Sequence, residues 1–317
     1  MEENKPRIIL DTDMETDCDD AGALALLVEY VRAGMADLAG IIASVPSKYA
    51  APSCEAITSY YGIQTEIGAV HLARYSNDER FHNYFAHRDK YYEYCYNETL
   101  AKTLNKTDED YEDSTLVYRR ILSRAEDNSI CILLIGTLTA FDLLLMSGPD
   151  EICDLGGSEL VSRKVCKVIA MSNAIYPRAL DNFNWDMDRE ATERVIKTLP
   201  LPMYASPDGA DIITGYSFSK DLPNNHPVRI AYEKHNAGQN KGRSSWDIIA
   251  TLYALEPDNK VFEDRVLGQI EYDQKANITS WNEKGTKLDH LLRLKKDQYS
   301  INEIELMLES KMKGDIE

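Results

Sequence analysis

The sequence predicts an α/β protein with a mostly parallel central sheet, helices on both faces of it, and a small antiparallel hairpin near the C-terminus. Three observations predict this. Short apolar runs alternate with stretches of helical period from the start of the chain. Two later runs, residues 130–135 and, but for Lys167, 165–171, are apolar throughout, as strands buried on both faces are. No Pro/Gly/Ser-rich linker or internal repeat interrupts the 317 residues, so the whole chain, 1–317, is expected to form a single domain. A chain of this length can bury about three quarters of its unfolded surface.

In order, residues 7–10 (Arg-Ile-Ile-Leu) read as a strand and 21–32 as the helix that follows. Residues 39–45 read as a second strand, 50–61 as a second helix and 65–70 as a third, short strand. After the strands at 130–135 and 165–171, helical spacing returns at 189–198 and 246–255, closed by Pro200 and Pro257. Residues 270–280 and 287–294 look like an antiparallel hairpin, and a last helix starts at Asn302. Two polar stretches, 75–99 and 220–245, are long for connections in a compact domain. They are read either as lid loops or as surface insertions with helical pieces of their own.

A formal net charge of −18 argues against nucleic-acid and anionic-membrane partners and suits a small neutral or cationic substrate. No run of 18 apolar residues exists, so no membrane span is expected. The N-terminal Met-Glu-Glu-Asn-Lys-Pro lacks the apolar core of a signal peptide. The six cysteines form no CxxC pair, and reduced thiols in a cytoplasmic protein are expected, with Cys131 and Cys166 buried in their apolar runs. Cys18 lies among carboxylates that disfavour a thiolate, which argues against a nucleophile there.

The chemistry concentrates after the first strand. Asp11, Asp13, Glu15, Asp17, Asp19 and Asp20 fall within ten residues, between Ile8-Ile9-Leu10 and the apolar run from Leu24 to Val28. Like charges folded into one strand-to-helix turn repel each other unless something positive sits among them, and a hard divalent cation held by carboxylate oxygens answers that need. An EF-hand loop counted from Asp11 would need Gly at position 16 and Glu at position 22, where Thr16 and Gly22 stand. A haloacid-dehalogenase-type phosphatase would carry Thr or Val where Glu15 is, and a carboxylate is a poor neighbour for an incoming phosphate.

The run Ile-Leu-Asp-Thr-Asp…Asp-Asp-Ala resembles the signature of the inosine/uridine-preferring nucleoside hydrolase family, in the longer-turn form of its bacterial branch. Three further segments resemble that family in the right order. Ile135-Gly-Thr-Leu-Thr-Ala140 is similar to its Gly-Pro-Leu-Thr-Asn segment, Asp181-Asn-Phe-Asn-Trp-Asp-Met-Asp-Arg-Glu-Ala191 to its Glu-Phe-Asn-x-x-x-Asp-x-Glu-Ala stretch, and Trp246-Asp247 to its His-Asp or Trp-Asp pair. Each segment also has an ordinary reading. Thr139 could cap a helix, Asn182 and Asn184 could be turn residues, Asp247 could sit in a helix's first turn, and Trp246 could belong to the core.

The resemblance implies a Rossmann-like nucleoside hydrolase fold and calcium-dependent hydrolysis of an N-glycosidic bond. It implies a calcium ion bound by Asp13, Asp20, the carbonyl of Thr139 and Asp247, with Asp13 also the base that deprotonates a water. It implies that Asp19 binds ribose hydroxyls and Asn184 orients the sugar. Ser47 stands where the family has a sugar-contacting Asn, and Asn182 where it has Glu. Trp246 is similar to the residue of purine-preferring members, which favours purine nucleosides. By the same resemblance a homo-oligomer, dimer or tetramer, is expected. The altered sugar shell leaves two alternatives: a hydrolase of another pentoside, or a non-catalytic nucleoside or sugar binder that keeps the metal site. Glu15 and Asp17 are read as solvated loop charges in preference to substrate contacts, and His82, His87 and His235 as solvated side chains.

Overall fold

The computed structural model describes residues 5–15, 17–91, 93, 95–172, 178–180, 183–263 and 266–316. Ile8, Ile9 and Leu10 have no solvent exposure, which places the first strand, β1 (Arg7–Thr12), at the centre of the molecule. It pairs in parallel with β2 (Asp37–Ala43) on one side and with β5 (Ile130–Leu134) on the other, in the registers Leu10↔Ile41 and Leu10↔Leu133. Beyond β2 lie β3 (Ile67–Ala69) and β4 (Glu112–Asp113). Beyond β5 lie β6 (Val165–Met171), β8 (Met203–Ser206) and β13 (Asp289–Leu291), all parallel to their neighbours. The sheet then turns antiparallel through β11 (Val266–Asp273), β12 (Ile278–Asn282) and β7 (Arg178–Leu180), giving eleven strands in all among the described residues. β9 (Ile213–Thr214) and β10 (Arg243–Ser244) form a separate two-stranded ribbon.

Helices cover both faces, as the double burial of β5 requires. One layer holds Asp19–Arg32, Ala50–Tyr60, Pro227–His235 and Trp246–Leu255; the other holds Ser114–Arg124, Thr139–Met146, Gly157–Lys164 and Arg189–Thr198. Strand order runs outward in opposite senses from β1 and β5, so the ends of these two strands form a topological switch point, where open α/β sheets bind ligands.

The expected fold class and the order of its first elements match the architecture, with two differences. The hairpin's turn lies inside residues 270–280, because β11 turns at Lys275–Asn277 and returns as β12; residues 289–291 pair with the other edge of β11 and join it to β8. Asp273 makes that turn by accepting from the Lys275 and Ala276 amides. Cys131 is buried but Cys166 is exposed, because it sits at the start of β6 on the strand's uncovered side; all six cysteines are free thiols. Both long polar stretches contain helices, His82–Tyr91 and Asn97–Ala101 in the first, Phe218–Asp221 and Pro227–His235 in the second. Among the described residues, no helix is long and apolar enough to cross a membrane.

Candidate metal centre

The acidic turn leaves the C-terminal end of β1 and runs into helix Asp19–Arg32, whose first two residues are carboxylates. The loop after β5 crosses beside it at backbone distance. Ile135 and Gly136 both donate to the Asp11 carbonyl, at 2.8 and 3.2 Å. A Cβ on Gly136 would come within 2.5 Å of the Asp13 nitrogen, so only glycine permits this approach. The third wall is helix Trp246–Leu255. Gly209, with φ of +139°, passes against the Trp246 backbone where a Cβ would lie 2.4 Å from its Cα.

These three walls bring Asp19, Asp20 and Asp247 together. One carboxylate oxygen from each lies within 4.8 Å of the others, and all three residues are buried. Asp20 accepts from the Thr12 hydroxyl and Asp19 accepts from the Asp247 amide at 3.2 Å. Asp247 Oδ1 is buried with no hydrogen-bond partner, and no lysine or arginine among the described residues forms an ion pair with any of the three. Burial pushes each carboxyl well above its usual range, and repulsion adds to it: from Asp17 on Asp19, from Asp13 and Asp19 on Asp20, and from Asp19, Asp20 and Asp13 on Asp247. Oxygen donors in this state fit a hard divalent cation, which would supply the missing charge.

Asp13 is partly exposed and outside the tight group, yet close enough to repel Asp20 and Asp247. Burial of its carboxyl, with the charges of Asp17, Glu15 and Asp11, pushes it up to about 8. Thr139 opens its helix, but its hydroxyl donates to Asp188 at 2.7 Å and caps nothing. Asn184 is buried; its Nδ2 donates to the Ile135 carbonyl at 2.5 Å and its Oδ1 has no partner. Asn182 lies outside the described residues. Trp246 is half-buried against the core, with the guanidinium of Arg243 5.2 Å from its ring centroid.

Glu15 and Asp17 are not solvated loop charges. Glu15 is 6% exposed and accepts from Ser47 Oγ at 2.6 Å, Tyr84 Oη at 2.7 Å and Asn97 Nδ2 at 3.5 Å, so the first polar stretch is tied to the turn and the Ser47 hydroxyl is committed to Glu15. Burial still raises the Glu15 carboxyl. Burial acts on Asp17 as well, but its hydrogen bonds and ion pair with Arg243 outweigh it and hold the carboxyl below the usual range. Neither arrangement has a local signal, since the partners lie from 32 to 226 residues away. Asp17, Cys18 and His235 also sit within ligand distance of one another, but Arg243 already neutralises Asp17, and burial with the charges of Asp17 and Asp19 raises the Cys18 thiol far from ionisation. His235 lies 3.9 Å from Asp17 and His87 packs on Tyr91 and Phe183, so neither is simply solvated, whereas His82 is exposed.

No family model matches the chain, and no curated protein matches it in sequence. Solved structures do. One similar structure is the inosine-uridine preferring nucleoside hydrolase from Bacillus anthracis, with a TM-score of 0.64 and 13% identity over 96% of this chain and 99% of that one. Another is the type III effector protein XopQ complexed with adenosine diphosphate ribose, with a TM-score of 0.70 and 13% identity over 98% and 94%. A third is an Inosine-Guanosine Nucleoside Hydrolase, with a TM-score of 0.62 and 15% identity over 97% and 98%. Likeness over nearly the full length at such low identity establishes the fold: the chain has the nucleoside hydrolase fold that its motifs imply.

Proposed function

We propose that the protein hydrolyses the N-glycosidic bond of nucleosides, purine nucleosides foremost, to free base and pentose, with calcium as its cofactor. The observation that carries this reading is the set of Asp19, Asp20 and Asp247 at the switch point of the sheet: three buried carboxylates within one cation's reach and, among the described residues, without an ion-pair partner. Asp20 and Asp247, with Asp13 and the Thr139 carbonyl, would hold the ion. Bound there, calcium would acidify a water and engage sugar hydroxyls.

The remaining work belongs to the side chains. Asp13 takes the proton of the water whose oxygen attacks the anomeric carbon, while the bond to the base nitrogen breaks and its electron pair leaves with the base. The sugar passes through an oxocarbenium-like state, which the surrounding carboxylates favour. Asp19 accepts hydrogen bonds from sugar hydroxyls, and the unpartnered Oδ1 of Asn184 is available to one more. Trp246, next in sequence to Asp247, would offer an indole face to a flat leaving base.

A second reading is favoured by one feature. The hydroxyl of Ser47, at the position of a sugar-contacting Asn, is bound to Glu15, so the sugar shell differs from that of the resembling family. A binder that keeps the metal site, or a hydrolase of another pentoside, would accommodate this. Base release from a panel of purine and pyrimidine nucleosides, measured with calcium and then with excess chelator, separates the readings. Chelator-sensitive release of purine bases is expected. Tight nucleoside binding without release from any of them would move the assignment to the binder.

A further inference from the structure

Arg243 is the one arginine that forms an ion pair with the acidic turn among the described residues. It extends from β10, and its Nε donates to Asp17 Oδ1 at 2.8 Å and to Oδ2 at 3.1 Å, with Nη2 donating to Oδ2 as well. Its guanidinium carbon lies 5.2 Å from the centroid of Trp246. On the other side it is within electrostatic reach of Asp19, a member of the carboxylate group. The guanidinium therefore bridges the metal centre and the indole, and it is charged at any pH at which the protein is folded.

A guanidinium presents two forks of donors. Asp17 takes the side fork, Nε with Nη2. No described protein group accepts from the end fork, Nη1 with the remaining hydrogen of Nη2, and the side chain is 33% exposed, so this fork is open to a ligand. Two coplanar donors at this spacing match the O6 and N7 acceptors on one edge of a 6-oxopurine, the pairing by which arginine reads guanine. A 6-aminopurine puts a donor where O6 would be and faces N–H with N–H. A pyrimidine has no such edge. Because the two-pronged pairing with Asp17 already orients the guanidinium, little side-chain freedom is lost when the base arrives.

We propose that Arg243, oriented by Asp17 and lying over the Trp246 ring, is a specificity residue that reads the O6/N7 edge of a 6-oxopurine, so that inosine- and guanosine-type glycosides are taken in preference to adenosine. The inference rests on the nucleosidase reading for its choice of purine glycosides, but it concerns base recognition and is tested by binding, with or without turnover.

The experiment is calorimetric titration of the full chain, loaded with calcium, with inosine, guanosine and adenosine, for the wild type, Arg243→Met and Arg243→Lys, with base release followed in parallel. The wild type should bind the two 6-oxopurine nucleosides on the order of ten- to a hundredfold more tightly than adenosine. Arg243→Met should bring the ratio close to one by losing inosine and guanosine affinity. Arg243→Lys, which keeps the charge without the fork, should do the same. Equal wild-type affinity for inosine and adenosine overturns the inference even if both are hydrolysed. So does a preference that survives in Arg243→Met, and so does failure of all three to bind. Preferential 6-oxopurine binding without base release upholds it and removes the nucleosidase reading, so the two fail separately. The wild-type ratio needs no variant and stands even where a variant does not fold.

Discussion

Buried charges in this molecule are treated in two opposite ways. In the helical layer on one face of the sheet, Asp142 is 1% exposed and meets Arg194 through hydrogen bonds of 2.7 to 3.2 Å. Nearby, the fully buried Arg119 is matched by Asp150 at 2.6 and 2.9 Å. At the switch point, Asp19, Asp20 and Asp247 are as deeply buried and have no such partner. The fold evidently can deliver an arginine to a carboxylate, and it does so for Asp17 within the same turn. A carboxylate group left without an ion-pair partner in a chain so able to supply one could hold a metal ion from outside.

The largest test of that contrast is catalytic. Asp13→Ala should lower base release by roughly 10²- to 10⁴-fold, the range for removing a general base, in steady-state assays on a nucleoside that the wild type cleaves. Unchanged turnover would end the role given to Asp13.

Metal removal should reach the carboxylate group and leave the paired ones alone. In the metal-free protein, burial and mutual repulsion raise the folded-state pKa of Asp19, Asp20 and Asp247 above the ordinary 3.8, and that of Asp13 to about 8. The folded state then holds more protons than the unfolded one, so their contribution to stability is fully present below the unfolded value and is lost as pH rises towards 8. Calcium, if bound there as proposed, would replace those protons. Scanning calorimetry should therefore find that chelation lowers Tm more at pH 8 than at pH 5, with calcium at a hundredfold excess over its Kd restoring about 2.7 kcal/mol. An equal effect at both values would mean that the carboxylates are not the binding group.

Single substitutions sharpen the same contrast. Arg194→Ala strips Asp142 of its partner and should destabilise by about 1–3 kcal/mol with or without calcium, reduced from the full buried-pair cost because Arg194 is 34% exposed. Asp20→Asn should do the reverse. It relieves repulsion and raises Tm in chelator, yet removes the calcium response; a lower Tm in chelator would count against repulsion as the dominant effect. Smallest of all, Ser47→Ala removes one of the donors to Glu15 and should cost roughly 1 kcal/mol in urea unfolding, while Glu15 keeps Tyr84 and Asn97.

Much of this was legible in the residues. The strands around the site were readable because burial on two faces demands continuous apolar runs, and Ile8-Ile9-Leu10 and 130–135 have them. The acidic turn was readable because its charge is local in sequence, and Asp247 through the motif that places it after Trp246. The hairpin register was misread because alternation marks a strand without naming its partner. The fate of Glu15 and Asp17 was misread because Tyr84, Asn97 and Arg243 are remote in the chain and carry no periodic signal.

The sequence by itself determined a parallel α/β sheet and a concentration of carboxylates at the end of its first strand, since hydrophobic period and local charge density are written in neighbouring residues. Only the tertiary structure decided which carboxylates go unpaired and which are answered. Asp17 and Glu15 are answered by an arginine, a serine, a tyrosine and an asparagine from other segments, whereas Asp19, Asp20 and Asp247 come together with no ion-pair partner among the described residues. The energy of a buried charge depends on what lies within a few ångströms of it, and that neighbourhood exists only once distant parts of the chain have packed together.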